Sequence, residues 1–163
     1  MATGLKEQYF ILKKKNINNY VKNATAVFTT SESNVYVKAI AVITIWDLFM
    51  MRAFLSNKDV TGCETRKFVQ SFNNSMLFKD LIESLHENRN KIAHIADDIE
   101  ILVGEVADIL RSYKYYDVLQ RDLDKVFCDT EISISAENIF RVFKVPLNKK
   151  YSIDGELPDI GKF

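Results

Sequence analysis

The run RNKIAH, from Arg89 to His94, places a permanent cation, a side-chain amide and an imidazole within about one and a half turns of a helix. A guanidinium suits an anionic phosphate because it is planar, always charged and able to offer paired donors. An imidazole is the side chain best matched to moving a proton near neutral pH. Together these are the minimal parts for cutting a phosphodiester without a metal ion. Asp97 and Asp98 follow closely, but adjacent side chains on a helix diverge by about 100°, so they do not converge on a metal. His86, two turns before His94, reads as a surface histidine and the weaker candidate.

Groups of this kind need a rigid frame, and the chain predicts a helical one. Only two prolines and five glycines occur in 163 residues, and no proline stands before about residue 128. A first helix is expected from roughly Leu5 to Thr29, with Tyr9, Leu12, Tyr20, Val27 and Phe28 inward, ended by the SESN run. The segment Val35 to Leu55 is apolar on nearly all sides and should lie centrally. Its β-branched AIAVITIW core would also suit a buried strand, but a length of about twenty residues favours a helix. A shorter helix is expected near Thr61 to Phe72, and a last body helix from about Tyr115 to Phe127.

Between these lies the clearest period in the chain. Leu77, Phe78, Leu81, Ile82 and Leu85 share one face at spacings of three and four. Ile92, Ile95, Ile99, Leu102, Val103, Val106 and Leu110 continue such a stripe, so RNKIAH is expected to open a long helix. On a wheel of about 100° per residue with Ile92 at zero, His94 falls near 200°, away from that stripe. Asn90 falls near 160°, and Arg89, near 60°, stands at the edge of the stripe. Asp47 sits midway along the apolar Val35–Leu55 segment, where an unpaired carboxylate would be costly. It calls for a salt bridge within the bundle, or for a place beside the motif where it tunes Arg89 or His94.

From Glu131 to Phe163 the character changes. EISIS alternates like a short strand, and SAENIFRVF predicts a short capped helix with Ile139, Phe140 and Phe143 inward; the remainder is turn-rich and extended. The economical organisation is one helical domain over residues 1–130, with residues 131–163 packed on it as a C-terminal extension.

Twenty-two basic residues against 22 acidic ones leave no net charge, so bulk electrostatics cannot bind nucleic acid and any contact must be local. Residues 1–30 carry Lys6, Lys13, Lys14, Lys15 and Lys22 against Glu7 alone, whereas residues 95–131 carry ten acids against four bases. The Lys13–Lys15 cluster, and Lys91 inside the motif, are the candidate RNA-backbone contacts; the same cluster would equally suit a solvated helix face or an acidic partner. Cys63 and Cys128 lie far apart, without the spacing of a zinc site, and read as free thiols of a reducing cytoplasm. The N-terminus lacks the apolar core of a secretory signal, and Lys38, Asp47 and Arg52 argue against a membrane span over Val35–Leu55.

RNKIAH is similar to the R-x-x-x-x-H signature of HEPN domains (higher eukaryotes and prokaryotes nucleotide-binding). Their commonest form, RN-x-x-AH, is matched by Arg89, Asn90, Ala93 and His94. WDLFMMRAFL, from Trp46 to Leu55, resembles the acidic-aromatic-basic pattern on an earlier helix of such domains, and the likeness covers about Val35 to Phe127. It implies an all-α bundle of four to five helices with a C-terminal appendage. It further implies a homodimer whose motif helices face each other across a dyad, and a metal-independent endoribonuclease that needs no cofactor. In that scheme His94 transfers a proton, Arg89 stabilises the phosphorane, Asn90 orients the phosphate or His94, and Asp47 supports them. Toxin or phage-defence roles, with or without an antitoxin partner, belong to this family. One toxin subgroup carries a tyrosine two residues after the histidine, where this chain has Ala96. A catalytically inactive dimeric module that binds RNA, a nucleotide or a protein is the competing expectation, and a structural protein with an accidental motif is the third.

Overall fold

The computed structural model describes residues 17–31, 33–56, 61–72, 74–93 and 98–150. Over these residues the chain is all-helical: seven α-helices, one 3-10 helix and no strand. They are α1 (Ile17–Ala24), continued by the 3-10 helix (Thr25–Thr29), then α2 (Val35–Leu55), α3 (Gly62–Gln70) and α4 (Met76–Ala93). The chain goes on through α5 (Ile99–Tyr113), α6 (Tyr116–Phe127) and α7 (Ala136–Val142).

The central element is α2. Asn34 starts it, its side chain accepting from the backbone N–H groups of Tyr36 and Val37. The β-branched run within it remains helical because the neighbours bury it on several sides, and tertiary packing outweighs the small propensity penalty. Helices α4 and α5 pack on α2 and on each other, α3 covers α2 and α4 at one end, and α7 packs on α2, α6 and the 3-10 helix. Phe49 marks the middle of this core, stacked on Phe127 of α6 at 5.6 Å between centroids and edge-on to Phe78 of α4 at 6.0 Å. No helix among the described residues is long and apolar enough to cross a membrane.

Arg52, near the end of α2, binds inward. Its Nε donates to the Val126 carbonyl at 2.5 Å, and its guanidinium lies over the rings of Phe68 and Phe72 at 5.3 and 5.4 Å. One cation thus joins the ends of α2 and α6 to the aromatic face of α3.

The second expected helix has the predicted bounds, and those of the third and last body helices shift by a residue or two at their ends. The part of the expected first helix before Ile17, with Tyr9 and Leu12, lies outside the described residues; at its other end α1 gives way to the 3-10 helix, within which Phe28 is buried and Val27 half-buried. The expected EISIS strand is also absent. Ile132 and Ile134 are buried between exposed neighbours, so the alternation records burial with no ladder partner. Nor does RNKIAH open a long helix. Ala93 ends α4, and Asp98 begins α5 by accepting from the Glu100 N–H, a local bond that competes with helix continuation. Arg89 to Ala93 therefore form the last turns of α4.

The short capped helix forms as predicted. Ser135 caps α7, and Ile139, Phe140 and Phe143 are buried in the same core as α2. The helix closes through Lys144 in the left-handed region (φ 59°), with Val145 N–H bonded to Phe140 O at 2.9 Å and Lys144 N–H to Arg141 O at 3.1 Å. Arg141 reaches back to the N-terminal segment, its guanidinium donating to the carbonyls of Thr30, at 2.9 Å, and Phe28. Ser33 returns the link by donating to Val142 O at 2.5 Å.

The main buried polar junction is centred on Asp122, 4% exposed, on α6. Its carboxylate accepts from Ser75 N–H at 3.3 Å, Ser75 Oγ at 2.7 Å and the Tyr113 hydroxyl at 2.8 Å. Burial, with the neighbouring Asp122 carboxylate, pushes the Tyr113 hydroxyl well above its ordinary pKa and keeps it a donor. Ser75 Oγ also accepts from Phe78 N–H, so this junction fixes where α4 begins. Asp122→Ala leaves the buried Tyr113 hydroxyl without this acceptor and unties Ser75, and is expected to cost about 1–3 kcal/mol in urea unfolding, against under about 0.5 kcal/mol for Asp108→Ala at an exposed helical ion pair.

Candidate functional site

The α4 stripe of Phe78, Leu81, Ile82 and Leu85 extends by helical spacing to Asn88 and Ile92, both buried. Arg89 stands at its edge, with its side chain one-third exposed. Its Nη2 lies 3.7 Å from Oδ1 of Asp47 on α2, with Asp47 exposed to a similar degree. The acidic residue of the apolar helix is thus brought to the motif arginine, as an ion pair within the bundle. Asn90 and Lys91 are exposed on the same turn. His94 lies outside the described residues, as do Lys13, Lys14 and Lys15.

Two further groups adjoin this pair, His86 and Asn88. His86 was expected at the surface, yet it is half-buried and stacked on the Trp46 indole, with centroids 4.8 Å apart and planes 18° apart. Trp46 precedes Asp47, and His86 lies one turn before Arg89, so two successive residues of α2 meet two successive turns of α4. Burial holds the His86 pKa below its ordinary value, helped by Arg66 and Arg89 and opposed by Glu83 and Glu87. The second group is Asn88. Its Nδ2 donates to Ser84 Oγ at 2.9 Å, while its Oδ1 is buried without a hydrogen-bond partner, as is Nε of Arg89. A signal existed for Asn88: a polar residue at the 81, 85, 88, 92 register of a core face.

Chemically, the arrangement is an oriented guanidinium. Asp47 draws on one edge of Arg89, restricting the side chain while leaving other N–H groups for an anion. The described residues contain no group of three His, Cys, Asp or Glu side chains able to hold a metal ion. No family model, no curated protein and no solved structure matches this chain.

At about one-third exposure, solvent screening reduces the Arg89–Asp47 attraction to the modest range of partly exposed pairs. A double-mutant cycle with Asp47→Ala and Arg89→Ala, read by urea unfolding, is expected to give a coupling of about 1 kcal/mol. A coupling indistinguishable from zero would mean that Asp47 does not hold Arg89 in solution.

Proposed function

We propose that this chain is a HEPN-type, metal-independent endoribonuclease that acts as a homodimer, as a toxin or phage-defence effector in the cytoplasm. The observation that carries this reading is the Arg89–Asp47 pair: the one carboxylate of an apolar helix meets the arginine of the RN-x-x-AH motif. The span Val35 to Phe127, over which the motif resemblance extends, contains α2 to α6, an arrangement compatible with a HEPN-like bundle.

In the proposed reaction the ribose 2′-oxygen attacks phosphorus, the P–O5′ bond breaks, and the 2′-hydroxyl proton is replaced by one delivered to the leaving 5′-oxygen. His94 carries one of these proton transfers. Arg89 stabilises the charge building on the phosphorane oxygens, with Asp47 holding the guanidinium in place. Asn90, exposed beside it, orients the phosphate or His94, and Lys91 and Lys13–Lys15 meet the RNA backbone. The products are a 2′,3′-cyclic phosphate and a 5′-hydroxyl, and DNA, which lacks the 2′-hydroxyl, is not cut.

The second reading is a non-catalytic dimeric module that binds RNA, a nucleotide or a protein partner. Two observations favour it: the chain has no net charge, and the Arg89 cation is already partly neutralised by Asp47.

Purified protein incubated with single-stranded and structured RNA in EDTA separates the two. The ribonuclease reading expects cleavage with cyclic-phosphate ends, reduced about 100- to 10,000-fold in His94→Ala and strongly in Arg89→Ala. Cleavage that EDTA abolishes sinks the mechanism, and binding without cleavage, indifferent to His94→Ala, selects the module.

A further inference from the structure

Three helices meet at His86. Its imidazole lies face to face with Trp46 of α2, and the start of α3 meets its Nε2 edge, where a Cβ built on Gly62 would stand 2.5 Å from Nε2 and 3.2 and 3.4 Å from Cδ2 and Cε1. Only a residue without a Cβ lets the first turn of α3 come this close while the imidazole keeps its place. The rest of α3 is tied to α4 by the Arg66–Glu83 pair at 3.4 Å and by the Gln70 amide, which donates to Lys79 O at 3.1 Å and Glu83 Oε2 at 3.3 Å. These links reach Lys79 and Glu83 on one side of α4, and His86 continues that side to the start of α3.

The charges around the imidazole are mixed. Arg66 faces it from α3, and Glu83, Glu87 and Arg89 from its own helix. From α2 comes Asp47, beside Trp46 and paired with Arg89. The start of α3 adds backbone N–H groups and the positive end of a helix dipole. Burial and the Arg66 cation weigh most against a proton on His86, Glu83 and Glu87 offset part of this, and Arg89 adds to the opposition.

We propose that His86 is a proton-operated latch: as the neutral imidazole between Trp46 and Gly62 it holds α3 against α2 and α4, and protonation releases α3. The direction follows from the depressed pKa. With α3 displaced, the imidazole returns toward its ordinary value of 6.5 and binds protons more readily than in the closed junction. Closure is complete above pH 6.5 and weakens as the pH falls below it. Release of α3 uncovers Trp46, one residue from Asp47, and so loosens the frame that holds Arg89. The latch needs no substrate and stands whether or not the ribonuclease reading holds.

Trp46 is the single tryptophan of the chain, which makes it a reporter, since an imidazolium in contact quenches indole emission. Emission of the full chain is followed from pH 8 to pH 5, together with amide-exchange protection of α3. The latch expects emission to fall along one protonation with a midpoint below 6.5, and α3 protection to drop across the same transition. His86→Phe, which keeps the stacking but not the proton, abolishes the transition, and His94→Gln retains it. Gly62→Ala, which displaces the imidazole without removing it, moves the midpoint up toward 6.5. A transition that survives in His86→Phe, unchanged α3 protection, or an unmoved midpoint in Gly62→Ala overturns the proposal.

Discussion

Helix α2 is buried on all but the face that carries the exposed Tyr36 and Ile40, and the rest of the molecule is arranged to cover its other faces. A segment with Val42, Ile45, Trp46, Leu48, Phe49 and Met51 all nearly inaccessible needs neighbours on several faces. Helices α4 and α5 cover most of it, α3 seals one end, and the C-terminal α7 closes part of what remains. Each large side chain buried in this way contributes on the order of 1.5–3 kcal/mol relative to exposure. The appended residues 132–145 therefore do structural work, and their burial in the common core explains why so short a segment carries so many apolar residues.

Against this apolar background, the polar residues of α2 are informative. Arg52 resolves its charge among a carbonyl, a hydroxyl and two aromatic rings, and so serves architecture. Asp47 resolves its charge on Arg89, a residue whose neighbours in sequence could do chemistry. The contrast separates a structural ion from a candidate functional one on the same helix. Asn88 adds a different irregularity, an amide in a core register with one acceptor unmet. Such unmet groups are uncommon in native interiors; besides Asn88 and Arg89 at the end of α4, Thr65 and Asn74 carry them among the described residues.

Much of the helical frame was legible from apolar spacing. Val35–Leu55 could be delimited because a long unbroken apolar run follows SESN, and the SAENIFRVF pattern with Ile139, Phe140 and Phe143 announced α7 in the same manner. The failures were local competitions. Asp98 can either continue a helix or cap one, and spacing alone favoured continuation because Ile92 and Ile99 fall on one face of an unbroken wheel. EISIS alternates because Ile132 and Ile134 face the core, and alternation does not say whether a partner strand exists. At the site, Arg89 and Asp47 were named from type and position, but their meeting depends on how α2 and α4 cross. His86 was misread for the same reason: its burial comes from Trp46 and Gly62, 40 and 24 positions away in the sequence (86 − 46 and 86 − 62).

The Arg141 clasp gives the fold a timetable. The carbonyls of Phe28 and Thr30 receive donors from a residue 113 and 111 positions later in the chain. At ordinary synthesis rates of about 5–20 residues per second, that donor is made roughly 6 to 20 seconds after its acceptors. Until it arrives, the end of the 3-10 helix faces solvent, and the loop that must close is long, although its entropic cost grows only with the logarithm of its length. Helices α2 to α6, held by nearer contacts, can assemble in the interval. The segment synthesised early is thus among the last to lock, and its locking registers that the chain has been made through α7.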